Sequence, residues 1–273
     1  YLAPRKGDLK GDGTLIAGRN LTMELSGDLN NSGTLAGRDV VSLTAENIHN
    51  LNGRIEGDDV LAAARNDLNN IGGTMQGGAS LQAIAGRDLN VVTTTVEGKG
   101  AAGAGVYGST AIDRVAGLYV TGDQGLLIAD AGRDANFIGA RVTTGPNGTL
   151  SITAANNLNL KTVTTGEDSD VTWDSQNYAR FGHSEEQGSQ ISGGGIQAGQ
   201  SATVAAVRNL LLQAETNSYS QSHFEETTSS GLMSGGGMGL RIGSETHTLD
   251  EGREGRIQST AMSTVAAGGK ADI

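Results

Sequence analysis

The chain has 273 residues with 43 glycines, two prolines (Pro4 and Pro146), no cysteine, 3% aromatic residues and a formal net charge of −11. This excludes disulfides and cysteine-ligated metals and any apolar run of the roughly 18 residues that cross a membrane as a helix; by charge repulsion it also excludes nucleic acid, heparin-like chains and anionic lipid as main partners. Large apolar side chains are scarce, but Leu, Ile and Val recur at regular places, so a hydrophobic fraction of 36% reads as an ordered chain with a narrow aliphatic core rather than as disorder.

No charged, apolar and then small-residue leader opens at Tyr1, and the chain reads as a segment from inside a longer protein. From residue 13 a twenty-residue unit repeats, with Gly13, Gly33, Gly53 and Gly73 at its start. Two residues further on stand Leu15, Leu35, Ile55 and Met75. A polar corner follows (GRN 18–20, GRD 37–39, GDD 57–59, GGAS 77–80), and after it Leu21, Val40, Val60 and Leu81. Leu29, Ile48, Leu68 and Leu89 form a third apolar position, and Asn31, Asn50 and Asn70 close their units before Val91 takes that place.

Apolar and polar residues alternate between these corners, which means strand, and Gly, Asn and Asp supply the positive φ angles of tight turns. A unit of three short strands cannot bury its apolar face alone, but it can by stacking on the next. The predicted fold is therefore all-β, a right-handed parallel β-helix with one coil per unit and coils about 4.8 Å apart. The recurring Asn residues either form an amide ladder along the axis or only turn the chain; the sequence leaves both open.

The strict period stops after residue 95. EGKGAAGAGVYGS (97–109) reads as a flexible loop or as a transition between repeat types, the transition spanning 96–130. Coil segments return at AGRDANF (131–137), GTLSITAANNLNL (148–160) and GQSATVAAVRNLLL (199–212), so 131–273 is predicted to hold longer coils with projecting arms. The whole is one continuous solenoid, with 1–95 as its regular part. GHSEEQGSQISGGGI (182–196) is echoed by SHFEETTSSGLMSGGGM (222–238), and IQAGQSATVAA (196–206) by IQSTAMSTVAA (257–267). The Thr/Ser/Glu-rich stretches between coil segments, 165–190 and 216–232, read as β-hairpin arms or extended loops. Tyr119, Trp173, Tyr178 and Tyr219 fall outside the regular repeats and are expected to cover the flank of the helix.

Little in the chain points to chemistry. Asp28, Asp67 and Asp88 recur at one repeat position, and Asp58 and Asp59 also lie in a corner; a residue present in every coil is explained by corner geometry sooner than by the unique carboxylate pair that glycosidic chemistry needs. His183-x-Glu185-Glu186 and His223-x-Glu225-Glu226 match each other, but on a strand the His and the first Glu share a face while the second Glu points away, and no third zinc ligand is fixed. The glycine-rich calcium nonapeptide, the phosphate-binding loop and the nucleophile elbow are all missing from the sequence. The chain is predicted to be no enzyme, with no catalytic, cofactor-binding or metal residue and no small-molecule substrate. Its working residues are the corner Gly and Asn and the aliphatic ladders.

The GRDL/GRNL corners with trailing DLNN, followed by GGGI…AG…TVAA units, resemble the haemagglutinin repeats of filamentous haemagglutinin and of CdiA-type contact-dependent inhibition effectors, exoproteins of two-partner secretion systems. The resemblance covers essentially the whole chain, 13–95 being similar to the first repeat type and 131–273 to the second. It implies a β-helical shaft secreted through an outer-membrane partner transporter and carried on the Gram-negative cell surface. The shaft would present or deliver a distal C-terminal toxin in contact-dependent growth inhibition. The alternative it implies is an adhesin whose arms bind a cell-surface receptor or glycan; a β-helical polysaccharide-active enzyme comes third.

Overall fold

The computed structural model of the chain describes residues 14–102, 105–175, 180–192, 195–234, 240–262 and 264–272. Gly13 and Tyr178 lie outside these residues, as do the side chains of Trp173 and Tyr219.

The described residues form strands only, and most of them stack as coils. The first four coils are β1 (Leu15–Glu24) with β2 (Leu29–Asn31), β3 (Thr34–Ala45) with β4 (Ile48–Leu51), β5 (Arg54–Ala64) with β6 (Leu68–Ile71), and β7 (Thr74–Ala85) with β8 (Leu89–Val92). A hairpin of β9 (Thr94–Ala102) and β10 (Gly105–Arg114) comes next. The fifth coil is β11 (Gly117–Val120), β12 (Leu126–Ala131) and β13 (Ala135–Ile138), and the sixth is β14 (Arg141–Thr143), β15 (Thr149–Ala154) and β16 (Asn157–Lys161). A second hairpin, β17 (Val163–Ser175) and β18 (Arg180–Ser192), leads to the seventh coil, β19 (Gly195–Ala198), β20 (Ser201–Ala206) and β21 (Asn209–Leu212). The third hairpin is β22 (Ala214–Ser234) and β23 (Leu240–Met262), after which β24 (Thr264–Ala267) and β25 (Lys270–Asp272) stack on β19 and β20.

All coil-to-coil pairings are parallel, in one 12-stranded and one 7-stranded sheet, and this is a parallel β-helix. Thr34, Arg54, Thr74, Gly117, Arg141, Gly195 and Thr264 stand level in the stack. Their uneven sequence spacing reflects inserted hairpins and short turns, because the coils themselves stay in register. The stretch read as a transition thus supplies a hairpin and two sides of the fifth coil.

The core is a set of axial ladders. Leu35, Ile55, Met75, Leu118, Val142 and Ile196 form one, and Leu29, Ile48, Leu68, Leu89, Ala135 and Leu158 another; all are buried. A third, from Ala45 through Ala64, Ala85, Ala131 and Ala154, is alanine throughout. The fifth coil answers Ala135 with Phe137, the large aromatic of the core, so a small and a large side chain share one layer and fill it. Leu15 and Leu21, on the first described coil, are half-buried.

Val40 departs from its expected ladder position. It is 37% exposed, whereas Val41 is fully buried and stands level with Leu21 and Val60. The corner from Gly37 to Val40 holds one residue more than the one from Gly57 to Asp59, and the register shifts there. Faces alternate along a strand, so a one-residue insertion exchanges inside and outside. The echo of 196–206 in 257–267 is also out of frame: Ile196 pairs with Val265, and Ile257 belongs to β23.

Candidate functional site: the corner that releases the hairpins

One corner of the coil carries both the Asn residues and the hairpins. In the first coils its interior is an amide ladder. Asn31 Nδ2 donates to Asn50 Oδ1 and Asn50 Nδ2 to Asn70 Oδ1, each at 2.7 Å. Asn50 Nδ2 also reaches Gly53 O at 3.1 Å, and Asn70 Nδ2 reaches Gly73 O at 2.9 Å and Gly117 O at 3.2 Å. All three Asn are buried. The amides satisfy corner carbonyls that would otherwise be buried without a donor, so they turn the chain and form a ladder at once.

The repeat glycines make room for this ladder. A Cβ on Gly53 would collide with Asn50 Oδ1 and Asn31 Nδ2, one on Gly73 with both Asn50 and Asn70, and one on Gly33 with Thr14 O. From the fourth coil onward the ladder position holds Val91, Phe137, Leu160 and Leu212.

From the second coil onward, the residue just past the strand of the 7-stranded sheet differs between coils where the chain turns and coils where it leaves. Asn52 (φ 58°), Gly72 (φ 60°) and Gly139 (φ 57°) take the left-handed region, and the chain runs on to the next coil. The equivalent residues of coils four, six and seven are Thr93, Thr162 and Gln213, and each opens a hairpin. A β-branched Thr is strained at positive φ, so the backbone stays extended and runs out of the coil. Thr93, itself buried, fastens the first hairpin at its base: its hydroxyl donates to Gly139 O at 2.7 Å and accepts from Ala116 N at 3.1 Å. Arg114 Nη1 adds a bond to Asn52 O at 3.2 Å.

The three hairpins join in one antiparallel sheet, in the order β9, β10, β17, β18, β22, β23. On the first hairpin Val96, Val106, Tyr107 and Ile112 are exposed, and on β23 Leu249 is. Tyr119 is no part of this sheet. It sits half-buried on β11 with its ring where a Cβ of Gly117 would lie, and burial raises its phenol above the usual range against the opposing effect of Arg141.

A second corner, before the 7-stranded sheet, holds the recurring acids. Asp88 N donates to Asp67 Oδ1 and Asp134 N to Asp88 Oδ1, each at 3.3 Å, and Asn157 N to Asp134 Oδ1 at 3.0 Å. Asn47 Nδ2 donates to Asp28 Oδ1 at 2.7 Å. Arg87 pairs with Asp67 and Arg133 with Asp88, both through two nitrogens. The Arg87 hydrogen bond holds the Asp67 carboxyl below its usual range despite partial burial. For Asp134, burial acts upward and is outweighed by the amides of Asn156 and Asn157, Asn157 N–H and Arg133, so its carboxyl also lies low. Each of the carboxylates of Asp67, Asp88 and Asp134 thus receives a backbone N–H of the following coil.

A further ladder, on the outer face of the 7-stranded sheet, went unnoticed in the sequence. Asn90 Nδ2 donates to Asn69 Oδ1, Asn136 to Asn90 and Asn159 to Asn136, all at 2.8 Å, and Asn69 Nδ2 lies 3.1 Å from His49 Nδ1. Its signal is the Asn directly after the buried apolar residue of the strand, following Leu68, Leu89, Ala135 and Leu158. The two H-x-E-E groups lie on paired antiparallel strands, Ser184 opposite His223. The side chains of His183, Glu185, Glu186 and Glu225 lie outside the described residues, among which no three His, Asp or Glu residues cluster as metal ligands would.

No family model and no solved structure matches the chain. It is 39% identical over 82 residues, 30% of its length, to the 16S rRNA endonuclease CdiA of Enterobacter cloacae subsp. cloacae. It is 35% identical over 77 residues, 28% of its length, to the tRNA nuclease CdiA of Escherichia coli O6:K15:H31 and to the protein of that name in Escherichia coli NC101. The matched stretch spans 2% of each relative's own length.

Proposed function

We propose that this chain is a shaft segment of a large secreted protein that presents or delivers a distal toxin in contact-dependent growth inhibition. The observation that carries the reading is the unbroken register of parallel coils from Leu15 to Asp272, interrupted in sequence but not in stacking by three hairpins. Local similarity to CdiA proteins supports the setting. In this reading the protein is exported through an outer-membrane transporter partner and displayed on a Gram-negative surface. It has no catalytic role in this region: the Asp residues that recur are occupied in coil-to-coil hydrogen bonds.

Stacking supplies the mechanism. Each coil entering the outside medium adds its strands to the open edge of the coil before, so folding would oppose backsliding. Leu43→Asp or Val60→Asp places a carboxylate in a buried ladder, where both parent residues are 2% exposed or less. In the full-length protein either change is expected to stall secretion, measured as its surface and medium fractions, and normal export of both variants would overturn the reading. The exposed apolar residues of the first hairpin favour a second role, adhesion to a neighbouring-cell receptor. Cell binding that disappears with that hairpin while export persists is the expected sign of it.

A further inference from the structure

The outer face of the 12-stranded sheet carries a row of side chains that the coil does not use for its own stacking. Strands β7, β11, β14, β19 and β24 set Gln76, Tyr119, Thr143, Gln197 and Ala266 level with one another. Tyr119 leans back along its strand, with its ring where a Cβ of Gly117 would lie. One face of the ring therefore rests on the glycine and the other looks outward from the sheet. Arg141, exposed, stands beside Gly117 in the next coil. The side chains of Tyr119, Arg141, Thr143 and Gln197 make no hydrogen bond or ion pair among the described residues.

Along the same row the surface sinks into a groove of about 370 Å³, with Thr143, Gln197 and Ala266 in its wall together with Thr144, Gly199 and Gly268. The Thr144 hydroxyl accepts from Gly199 N at 2.9 Å and fixes the wall on that side. Coils stack through their strand edges, so a further coil lengthens this face and does not cover it.

The chemistry of the row selects its ligand. It offers an aromatic face, hydroxyls and amides, and from Gln76 to Ala266 it holds no carboxylate. A peptide strand would gain little here, because the face presents side chains and no free backbone edge. Successive rungs lie about 4.8 Å apart, close to the length of one pyranose unit in an extended glycan. A flat sheet suits a flat ribbon, the form that β-1,4 linkage gives a pyranose chain, with C–H faces to stack on an aromatic ring and equatorial hydroxyls at its edges. An uncharged ribbon also meets no repulsion from a chain of net charge −11. We propose that this row is a binding site for an extended, uncharged β-1,4-linked glycan lying along the coil axis. One sugar stacks on Tyr119, and its neighbours receive hydrogen bonds from Arg141, Thr143 and Gln197. The site lies on the coil and not on the hairpins, and it does not depend on the shaft reading.

The test is isothermal titration calorimetry of the whole chain with cellohexaose, chitohexaose and maltohexaose. Binding of cellohexaose, chitohexaose or both is expected, and the sugar that binds tells a hydroxyl-bearing from an acetamido-bearing ribbon; maltohexaose, whose linkage bends the chain, is expected not to bind. Tyr119→Ala should weaken binding about tenfold and Gln197→Ala about threefold, whereas Tyr119→Phe, which keeps the ring, should stay within about twofold of the parent. Gln197 is exposed, so its replacement leaves the coil intact, and thermal midpoints of all three variants separate lost binding from lost folding. No binding of either ribbon at millimolar concentration, equal binding of maltohexaose, or parental affinity in folded Tyr119→Ala or Gln197→Ala would each overturn the proposal.

Discussion

Asn50 has its amide committed on both sides, accepting from Asn31 and donating to Asn70 and Gly53. Asn50→Ala would strand these partners inside a dry corner, and a loss of about 2–4 kcal/mol in urea unfolding is expected. Asn31 lies at the end of the ladder, where its oxygen takes only Gly33 N at 3.2 Å among the bonds described. Asn31→Val, which copies the residue at Val91, should cost less than half as much. At the other corner the sign of the pH effect comes from the lowered carboxyls of Asp67 and Asp134. A carboxyl lowered by folding stabilises the fold above its unfolded value of about 3.9 and loses that contribution as pH falls through the folded value. The thermal midpoint should therefore drop below about pH 4, modestly because Arg87 is exposed, and Arg87→Gln should make the drop shallower.

Among the elements, the hairpins were the part most weakly written in the sequence. Arms at 165–190 and 216–232 could be read from their polar alternation, yet β9 and β10 also pair as a hairpin, and 97–109 reads as a loop or transition because Gly and Ala carry little alternation. Thr93, Thr162 and Gln213 mark the exits, but only beside Asn52, Gly72 and Gly139 does their meaning emerge, and that comparison needs the coil register. Replacing Thr94–Arg114 by two glycines tests the independence of coil and hairpin. The coils keep their own ladders, so the thermal midpoint is expected to move by only a few degrees. Amide exchange in β17 should rise, because β10 pairs with Gly166 to Val171. Loss of cooperative coil unfolding would count against this division.

Over the whole molecule, stability is nearly one-dimensional: each coil touches its neighbours, and an internal break separates the stack into two parts. This is why a single carboxylate at Leu43 or Val60 is expected to affect export as a whole and not a local activity. The hairpin sheet obeys a different logic. It is exposed at many described positions and held by backbone pairing and by its feet in the coil.

The coil was already specified by the order of the amino acids. A period of twenty residues and alternating apolar positions allow few solutions, because an unstacked unit would leave the apolar face of its strands in water. The same repetition marked the corner Gly and Asn and, by recurring in the acids, argued against a unique active site. Three things needed the tertiary structure. Val41 and not Val40 faces the core, because one extra corner residue flips a strand. TVAA at 264–267 stacks on 195–198 and not on its own echo at 203–206, because the third hairpin sets the frame. The hairpins, released from separate coils, become one sheet, because emerging from the same corner of stacked coils brings strands far apart in sequence within hydrogen-bonding distance.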